Sequence, residues 1–452
     1  MPEYPSPDLS AFPPGFRWST ATAAFQVEGS RAADGRGRSI WDDFVDAAGS
    51  VRDGATADPG ADSYRRSSED VALLGELGVD RYRFSISWVR VQPDAGSAPA
   101  QAGLDYYRRL ADDLLETGIT PFATLYHWDL PSALEAHGGW LERDTALRFG
   151  EYAEVVAEAL GDRIRHWYTV NETVSTSLQG YAVGTLAPGR RLLFGSLPTV
   201  HHQLLAHGLA TEALRRRGAE EVGIVNNHTL VIPASDSAED AAAAAVYDLL
   251  HNRIFADPVL TGSYPDLESF GIPPLPVEEG DLDLIGARGD FYGVNFYNPT
   301  TIAAAGEGSP IPFEIVPTVG APVTGFGSEW PIVPSALTDV LVDFHARYGD
   351  RLPPLVIGEN GASFPEPDHV AGPIDDTDRI SYLAGHIDAV GAALRAGVDV
   401  REYTVWSLLD NFEWADGYTQ RFGLVHVDFV SATRTPKASF AWYRSLISEA
   451  RR

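Results

Sequence analysis

The sequence of 452 residues contains no cysteine. Disulfide bonds, thiol nucleophiles and thiolate metal sites are therefore excluded. Lysine occurs once, as Lys437, among 34 lysine and arginine residues, which removes most routes to Schiff-base chemistry. No apolar run reaches the roughly 18 residues that span a bilayer, and the first residues lack the basic and apolar regions of a signal peptide. We therefore expect a soluble, cytoplasmic protein.

Positive charge is also scarce, and the formal net charge is −29. A field of this sign repels nucleic acids, anionic membrane surfaces and phosphorylated ligands. We therefore predict no nucleic-acid partner and no membrane partner, and we expect neutral or cationic small-molecule substrates. The same charge is typical of a surface that only keeps a protein soluble, so it does not identify a substrate.

Short β-type segments alternate with amphipathic helical segments along the whole chain. The candidate strands are residues 16–24, 81–87, 120–126, 165–171, 221–227, 290–297, 354–360 and 402–410. Helical patterns between them often stop at a glycine, as at Gly78 and Gly161. Proline- and glycine-rich stretches at 271–280 and 305–325 indicate loops.

This alternation predicts a (β/α)8 TIM barrel, an α/β fold, with residues 1–452 as a single catalytic domain. A doubly wound open sheet is the alternative. It lacks support because no GxGxxG motif follows the first strand.

Polar and aromatic residues cluster where the candidate strands end, and the C-terminal ends of the strands carry the chemistry in a barrel of this kind. These residues are Gln26, Glu28, Arg83, His127, Asn171, Glu172, Asn295, Tyr297, Glu359, Trp406, Glu413 and Trp414. Amides and carboxylates suit sugar hydroxyls, and an aromatic side chain suits the apolar face of a sugar ring. Two carboxylates flanking one bond are what glycoside hydrolysis requires. Solvated loop residues or helix caps are the alternative interpretation of the glutamates.

Nine motifs carry the prediction further. In chain order they are "FRWSTATAAFQVEG", "WDDF", "RYRFSISW", "TLYHWDLP", "YTVNET", "NRIFADPVLTGSYP", "DFYGVNFY", "VIGENG" and "SLLDNFEWADGYTQRFGLVHVDF", between residues 16 and 429. With these motifs the chain resembles glycoside hydrolase family 1, the β-glucosidase family. The resemblance implies a retaining enzyme that releases terminal non-reducing β-D-glucosyl residues by double displacement. Its expected substrates are short oligosaccharides such as cellobiose and aryl glucosides, with no metal and no organic cofactor.

The resemblance also implies a role for each matching residue. Glu172 would be the general acid/base and Glu359 the nucleophile. Gln26, His127, Asn171, Glu413 and Trp414 would hydrogen-bond the sugar, and Trp406 would stack against it. Arg83 and Tyr297 would support the nucleophile, and Asn295 would support the acid/base side of the pocket.

Two residues depart from the usual family pattern. Thr173 stands where the family usually has proline, and Gly358 stands where it usually has threonine. We expect Thr173 to affect leaving-group preference and Gly358 to add backbone freedom at the end of its strand.

Several alternatives stay open at this point. One is a β-galactosidase or β-fucosidase of the same family, and another is a sugar-binding barrel without catalysis. A barrel aldolase or lyase would need a lysine or a metal cluster at the strand ends. His201, His202 and His207 lack the HExxH pattern, so packing is the preferred interpretation. The oligomeric state is open, with a homo-oligomer as one alternative.

Overall fold

Eight parallel strands form a closed barrel in the computed structural model, which describes residues 4–94, 96, 98–370, 372 and 374–452. The strands are β1 Arg17–Ala21, β2 Arg81–Ser85, β3 Thr120–Tyr126, β4 His166–Asn171, β5 Glu221–Asn227, β6 Phe291–Asn295, β7 Leu355–Asn360 and β8 Val400–Trp406. Each strand pairs with its neighbours in chain order, and β8 closes the barrel against β1. The predicted (β/α)8 barrel is confirmed, and every candidate strand overlaps one observed strand.

Eight main helices follow the eight strands. They are α1 Ser63–Leu77, α2 Gln101–Glu116, α3 Arg143–Leu160, α4 Pro198–Arg216, α5 Ala238–Asp248, α6 Ser335–Tyr348, α7 Thr377–Arg395 and α8 Ala438–Ala450. Helix α5 runs on through a π-helical turn, Leu249–Arg253, into Ile254–Thr261, and a second π-helical segment spans Ser175–Val183.

Short elements fill the connections between strands and main helices. The short α-helices are Ala24–Val27, Ile40–Asp46, Trp88–Val91, Ser132–Glu135 and Asp281–Ile285. The 3-10 turns are Leu9–Ala11, Ala33–Gly35, Arg52–Gly54, Gly139–Leu141, Leu193–Ser196, Glu268–Phe270, Gly349–Arg351 and Trp414–Asp416.

Helix α2 shows why these segments form helices that pack on the barrel. Leu104, Tyr107, Leu110 and Leu114 recur every three or four residues and are all buried. This spacing places them on one helical face, which packs in the core while the charged residues between them stay at the surface. Burial of that face, more than helix propensity, stabilises the helix.

The predicted loop at 305–325 is partly wrong. It contains the strands Phe313–Val316 and Val323–Thr324, which pair with Thr300–Ala304 and Gly327–Pro331 respectively. Further short strands are Val231–Pro233, which also pairs with Thr300–Ala304, and the hairpin Val425–Asp428 with Thr433–Pro436. Proline and glycine density indicated the turns, but the pairing partners are supplied by the tertiary fold.

Candidate strand eight, 402–410, also extends too far. β8 ends at Trp406 because the chain then leaves the barrel, and the amide of Ser407 donates to the carbonyl of Phe422. No helix among the described residues has both the length and the apolar character that crossing a membrane requires.

Strands β4 and β7 each contain one extra residue relative to a neighbouring strand, just before Asn171 and Glu359 respectively. Between β4 and β5 the register passes from Tyr168 opposite Gly223 to Asn171 opposite Val225. Between β7 and β6 it passes from Ile357 opposite Val294 to Glu359 opposite Asn295. Bulges of this kind bend the strand and re-aim its side chains.

Candidate active site

One large cavity lies at the C-terminal ends of the barrel strands, with a volume of about 820 Å³. Seven residues predicted from the sequence line it, namely His127, Glu172, Tyr297, Glu359, Trp406, Glu413 and Trp414. The other four predicted residues, Gln26, Arg83, Asn171 and Asn295, are fully or almost fully buried and hydrogen-bond those lining residues or one another. The fold therefore brings all eleven residues into one region from distant parts of the sequence.

Glu172 follows β4 directly, and its side-chain donors among the described residues are all neutral. Its Oε1 accepts hydrogen bonds from Asn295 Nδ2 at 2.8 Å and Asn227 Nδ2 at 3.3 Å. Its Oε2 accepts one from Ser175 Oγ at 2.7 Å. The side chain is buried, and it lines the cavity.

Glu359 lies in β7 and is held by a cation and a phenol. Arg83 Nη1 donates to Glu359 Oε1 at 2.6 Å, and the Tyr297 hydroxyl donates to Oε2 at 2.7 Å. Arg83 and Glu359 are both buried, so this is a charge-assisted bond away from bulk water.

A short chain of hydrogen bonds connects the two carboxyl groups. Asn171 Oδ1 accepts from Arg83 Nη2 at 2.5 Å and from Asn295 Nδ2 at 3.1 Å. Because Arg83 also holds Glu359 and Asn295 also holds Glu172, only three side chains separate the carboxylates. The network fixes the two glutamates relative to each other on one cavity.

Burial dominates the protonation of both glutamates. It raises the pKa of Glu172, and its hydrogen-bonding partners oppose this shift. Burial also raises the pKa of Glu359 to about 7, opposed by the Arg83 guanidinium and reinforced by the charge of Glu172. Burial therefore favours the neutral form of both carboxyl groups. The Arg83 guanidinium hydrogen-bonds Glu359, so a negative charge on that carboxyl group is stabilised by a neighbouring cation.

Aromatic rings form the wall around His127. Trp406 and Trp414 both stack against the His127 ring, with centroids 5.7 and 5.9 Å away. Burial lowers the pKa of His127 well below its usual value, so the ring is neutral. The wall therefore combines an indole surface with neutral hydrogen-bonding groups.

Glu413 and Gln26 form the polar end of the same wall. Gln26 Nε2 donates to Glu413 Oε2 at 3.3 Å, while Gln26 Oε1 is buried and has no hydrogen-bond partner among the described residues. Burial raises the pKa of Glu413 well above its usual value, and Asp416, Glu359 and Glu172 reinforce the shift by repulsion. A ligand hydroxyl would supply the hydrogen bond that Gln26 Oε1 lacks.

The outer part of the cavity is largely apolar. It is lined by Val174, Leu178, Leu186, Phe194, Leu197, Ile311, Ile315, Phe326 and Trp330, among others. Both π-helical segments contribute to this wall, through Leu178 and through Leu250 and His251. Trp330 stacks on Phe326 at 4.4 Å, so it lines the cavity and packs in the wall at once.

Gly358 is closely packed where the sequence suggested added freedom. A Cβ at this position would lie 2.7 Å from Asn295 Oδ1 and 2.7 Å from Val225 Cγ2. The absence of a side chain therefore lets β7 approach Asn295, the residue that holds Glu172.

The histidines of α4 and the single lysine, which were also candidates from the sequence, lie outside the cavity lining. His201, His202 and His207 are buried in α4, where His201 Nε2 contacts Asp281 Oδ2 at 2.8 Å. Lys437 is buried between Glu366 and Asp410, with Nζ–O distances of 2.6 and 2.8 Å, and does not line the cavity. An aldolase mechanism through this lysine is therefore ruled out by its position.

One acidic cluster outside the cavity has geometry that could hold a metal. Within the described part of the chain it consists of Glu366, Asp410 and His426. Lys437 and Arg421 already occupy the carboxylate oxygens, so ion pairs account for the cluster.

Sequence reasoning missed Ser175 and Asn227, which both hold Glu172. Asn227 ends β5, so applying the strand-end rule to strand five would have found it. Ser175 follows Glu172 by three residues in an irregular segment, and the sequence carried no signal for its contact.

Comparisons with known proteins show which family this chain resembles. The family described as glycosyl hydrolase family 1 matches residues 9–451. Beta-glucosidase A of Acetivibrio thermocellus is 42% identical, covering 96% of this chain and 98% of the relative. A bifunctional beta-D-glucosidase/beta-D-fucosidase of Bifidobacterium breve is 42% identical, covering 97% of this chain and 98% of the relative.

A solved structure agrees with these relatives. The crystal structure of the psychrophilic beta-glucosidase BglU from Micrococcus antarcticus superposes with a TM-score of 0.93 at 44% identity, covering 98% of both chains. The matching fold, the near-complete coverage and the paired glutamates on one cavity lead to one conclusion. The chain belongs to glycosyl hydrolase family 1 and is a glycoside hydrolase.

Proposed function

We propose that this glycoside hydrolase is a retaining β-glucosidase in which Glu359 is the nucleophile and Glu172 the general acid/base. One observation carries the assignment. Two buried carboxyl groups line the same cavity, and Arg83 and Tyr297 hold one of them while only neutral donors hold the other. A nucleophile needs its charge, and a general acid needs its proton.

In the first step, Glu359 attacks the anomeric carbon while Glu172 protonates the departing glycosidic oxygen. The bond from the anomeric carbon to the leaving group breaks, and an ester between the sugar and Glu359 forms. Glu359 loses its negative charge in this step, so the pKa of Glu172 falls.

In the second step, the ionised Glu172 takes a proton from a water molecule that attacks the anomeric carbon. The ester breaks and the sugar leaves with its original configuration. Arg83 and Tyr297 then receive the restored charge of Glu359 through the bonds they already make. The cycle uses side chains of this protein alone.

The wall of the cavity supports a glucosyl group at the cleavage site. Trp406 offers a ring face, Gln26 offers an unpaired amide oxygen, and Glu413 offers a carboxyl group, all suited to sugar hydroxyls and a sugar ring. The names of the relatives support the same substrate, and the Bifidobacterium breve relative favours β-fucosides as second substrates. Expected substrates are aryl β-glucosides and short oligosaccharides such as cellobiose, as in the breakdown of cellulose fragments. The cytoplasmic location and the oligomeric state stay predictions.

A chromogenic aryl β-glucoside tests the proposal directly. We expect turnover, and proton NMR should show the β-anomer of glucose first. Glu359→Gly should lose hydrolysis by at least about 10³-fold, and azide should restore turnover because it enters the space left by the carboxylate. The product should then be the α-glycosyl azide, whereas a β-azide product or an initial α-glucose would refute the assignment.

A further inference from the structure

The backbone of Glu172 has an unusual conformation that depends on its surroundings. Its φ is +48°, in the left-handed region that residues other than glycine rarely occupy. A residue holds such a conformation only when neighbouring structure imposes it. The amide of Glu172 donates to the carbonyl of Val225 at 2.8 Å, which fixes one side of the residue.

Thr173 fixes the other side through a single acceptor. Its amide N–H and its hydroxyl both donate to Asn226 Oδ1, at 3.1 and 2.5 Å. Thr173 and Asn226 are both fully buried, so water cannot replace either bond. Proline at position 173 would have neither donor, so this pair is a feature of this chain's own residues.

Asn226 is itself held by a longer network. Its Nδ2 donates to the Tyr292 hydroxyl at 3.2 Å, and that hydroxyl contacts His228 Nε2 at 2.9 Å. His228 Nδ1 in turn contacts Asn252 Oδ1 at 3.1 Å, in the π-helical turn after α5. The acceptor that Thr173 uses is therefore anchored by three more buried side chains.

We propose that Thr173 and Asn226 form a positioning pair that sets the direction of the Glu172 carboxyl. The pair orients the peptide between residues 172 and 173, and that peptide determines where the Glu172 side chain leaves the backbone. The proposal rests on the acid/base role of Glu172. Neither residue of the pair lines the cavity, so its effect on the reaction passes through Glu172.

A misdirected general acid has a specific kinetic signature. Protonation matters when the leaving group is a poor one, such as the sugar alcohol of cellobiose, and matters little for dinitrophenolate. Loss of the pair should therefore lower kcat/KM for cellobiose much more than for 2,4-dinitrophenyl β-glucoside. A general loss of folding would lower kcat/KM for both substrates by the same factor.

The experiment compares three variants with the wild-type enzyme. Thr173→Val is nearly isosteric and removes the hydroxyl, Thr173→Ser restores it, and Asn226→Leu removes the shared acceptor. We expect kcat/KM for cellobiose to fall about tenfold in Thr173→Val and about 100-fold in Asn226→Leu. The value for the dinitrophenyl glucoside should change less than about threefold, and Thr173→Ser should restore activity on cellobiose.

Thr404→Val is the matched control, because the Thr404 hydroxyl is buried in β8 and has no hydrogen-bond partner in the part of the chain that the structure describes. This variant should leave the ratio of the kcat/KM values for the two substrates unchanged. The proposal would be overturned if Thr173→Val and Asn226→Leu lowered kcat/KM for both substrates by the same factor, or did not lower it for either. Glu172→Gln, measured in parallel, tests the underlying role. If Glu172→Gln also lowers kcat/KM for both substrates by the same factor, the proposed acid/base role of Glu172 is wrong, and the failure does not lie with the positioning pair.

Discussion

At the scale of residues, backbone strain collects around the cavity. Trp128, Glu172, Leu193 and Trp414 all have positive φ and all line it. Each such conformation costs about 1–3 kcal/mol in a residue other than glycine. The fold tolerates this cost where side chains need directions that regular backbone does not supply.

Gly358 provides a residue-scale prediction. Gly358→Ala would place a Cβ against Asn295 and Val225, both at 2.7 Å. Asn295 or Val225 then has to shift, and because Asn295 holds Glu172 we expect kcat/KM to fall by about 100-fold and the melting temperature to drop. Gly306→Ala is the control, because nothing lies within 4 Å of a Cβ there. Full activity in Gly358→Ala would show that Asn295 does not need its present position.

The raised pKa of Glu359 predicts how stability depends on pH. Its pKa is about 7 in the folded enzyme and about 4.3 in an unfolded chain. The folded state therefore resists ionisation, and the resulting destabilisation is complete above pH 7 and disappears as the pH falls below about 4.

Glu359→Gln removes this destabilisation. We expect its melting temperature to exceed that of the wild type at pH 8, with a difference that shrinks on acidification to pH 5. Differential scanning calorimetry at both pH values measures this, with Glu449→Gln, at an exposed position of α8, as the control. A difference that grows on acidification would contradict a raised pKa of Glu359 as its cause.

At the scale of elements, the regular barrel was predictable and the two π-helical segments were not. Strands buried on both faces leave short apolar runs in the sequence, and one-sided helices leave a period of 3.6. The segment Ser175–Val183 has no comparable period, and several of its residues line the cavity. The short strands within the predicted loop at 305–325 likewise have no clear period, and each forms by pairing with a neighbouring segment.

The apolar outer wall predicts a preference among leaving groups. Phe194→Ala removes part of that wall, so kcat/KM for an octyl or aryl β-glucoside should fall about tenfold. Methyl β-glucoside, whose aglycone does not reach the wall, should lose less than about twofold. Phe270→Ala is the control, because Phe270 is exposed and does not line the cavity. Equal losses for both glucosides would show that Phe194 does not contact the aglycone.

At the scale of the whole molecule, negative charge disfavours phosphorylated substrates. The net charge is −29, and no lysine or arginine is among the described residues that line the cavity, so no lining cation would bind a phosphate group there. An aryl 6-phospho-β-glucoside should therefore have a kcat/KM at least about 100-fold below that of the unphosphorylated glucoside. Added salt should narrow this gap by screening, and leave the neutral substrate unchanged. Comparable values for the two substrates at low salt would contradict the prediction.

The single-domain prediction for residues 1–452 is consistent with the closed barrel but is not tested separately. One hydrophobic cluster includes side chains from the barrel strands and from seven of the eight main helices, and Val246 of the remaining helix, α5, packs against it. Burial of this cluster favours one cooperative unit, which a single calorimetric transition would show.

The sequence by itself determined the class of fold and the identity of the paired glutamates, because periodic burial and motif residues are local properties of the chain. Only the tertiary structure decided how these residues meet. Arg83, Asn171 and Asn295 join two carboxylates that lie 187 positions apart, from 172 to 359. The pairing of Thr173 with Asn226, the packing of Gly358 and the raised pKa values likewise depend on neighbours from other strands. Such contacts arise from barrel closure, which no local stretch of sequence encodes.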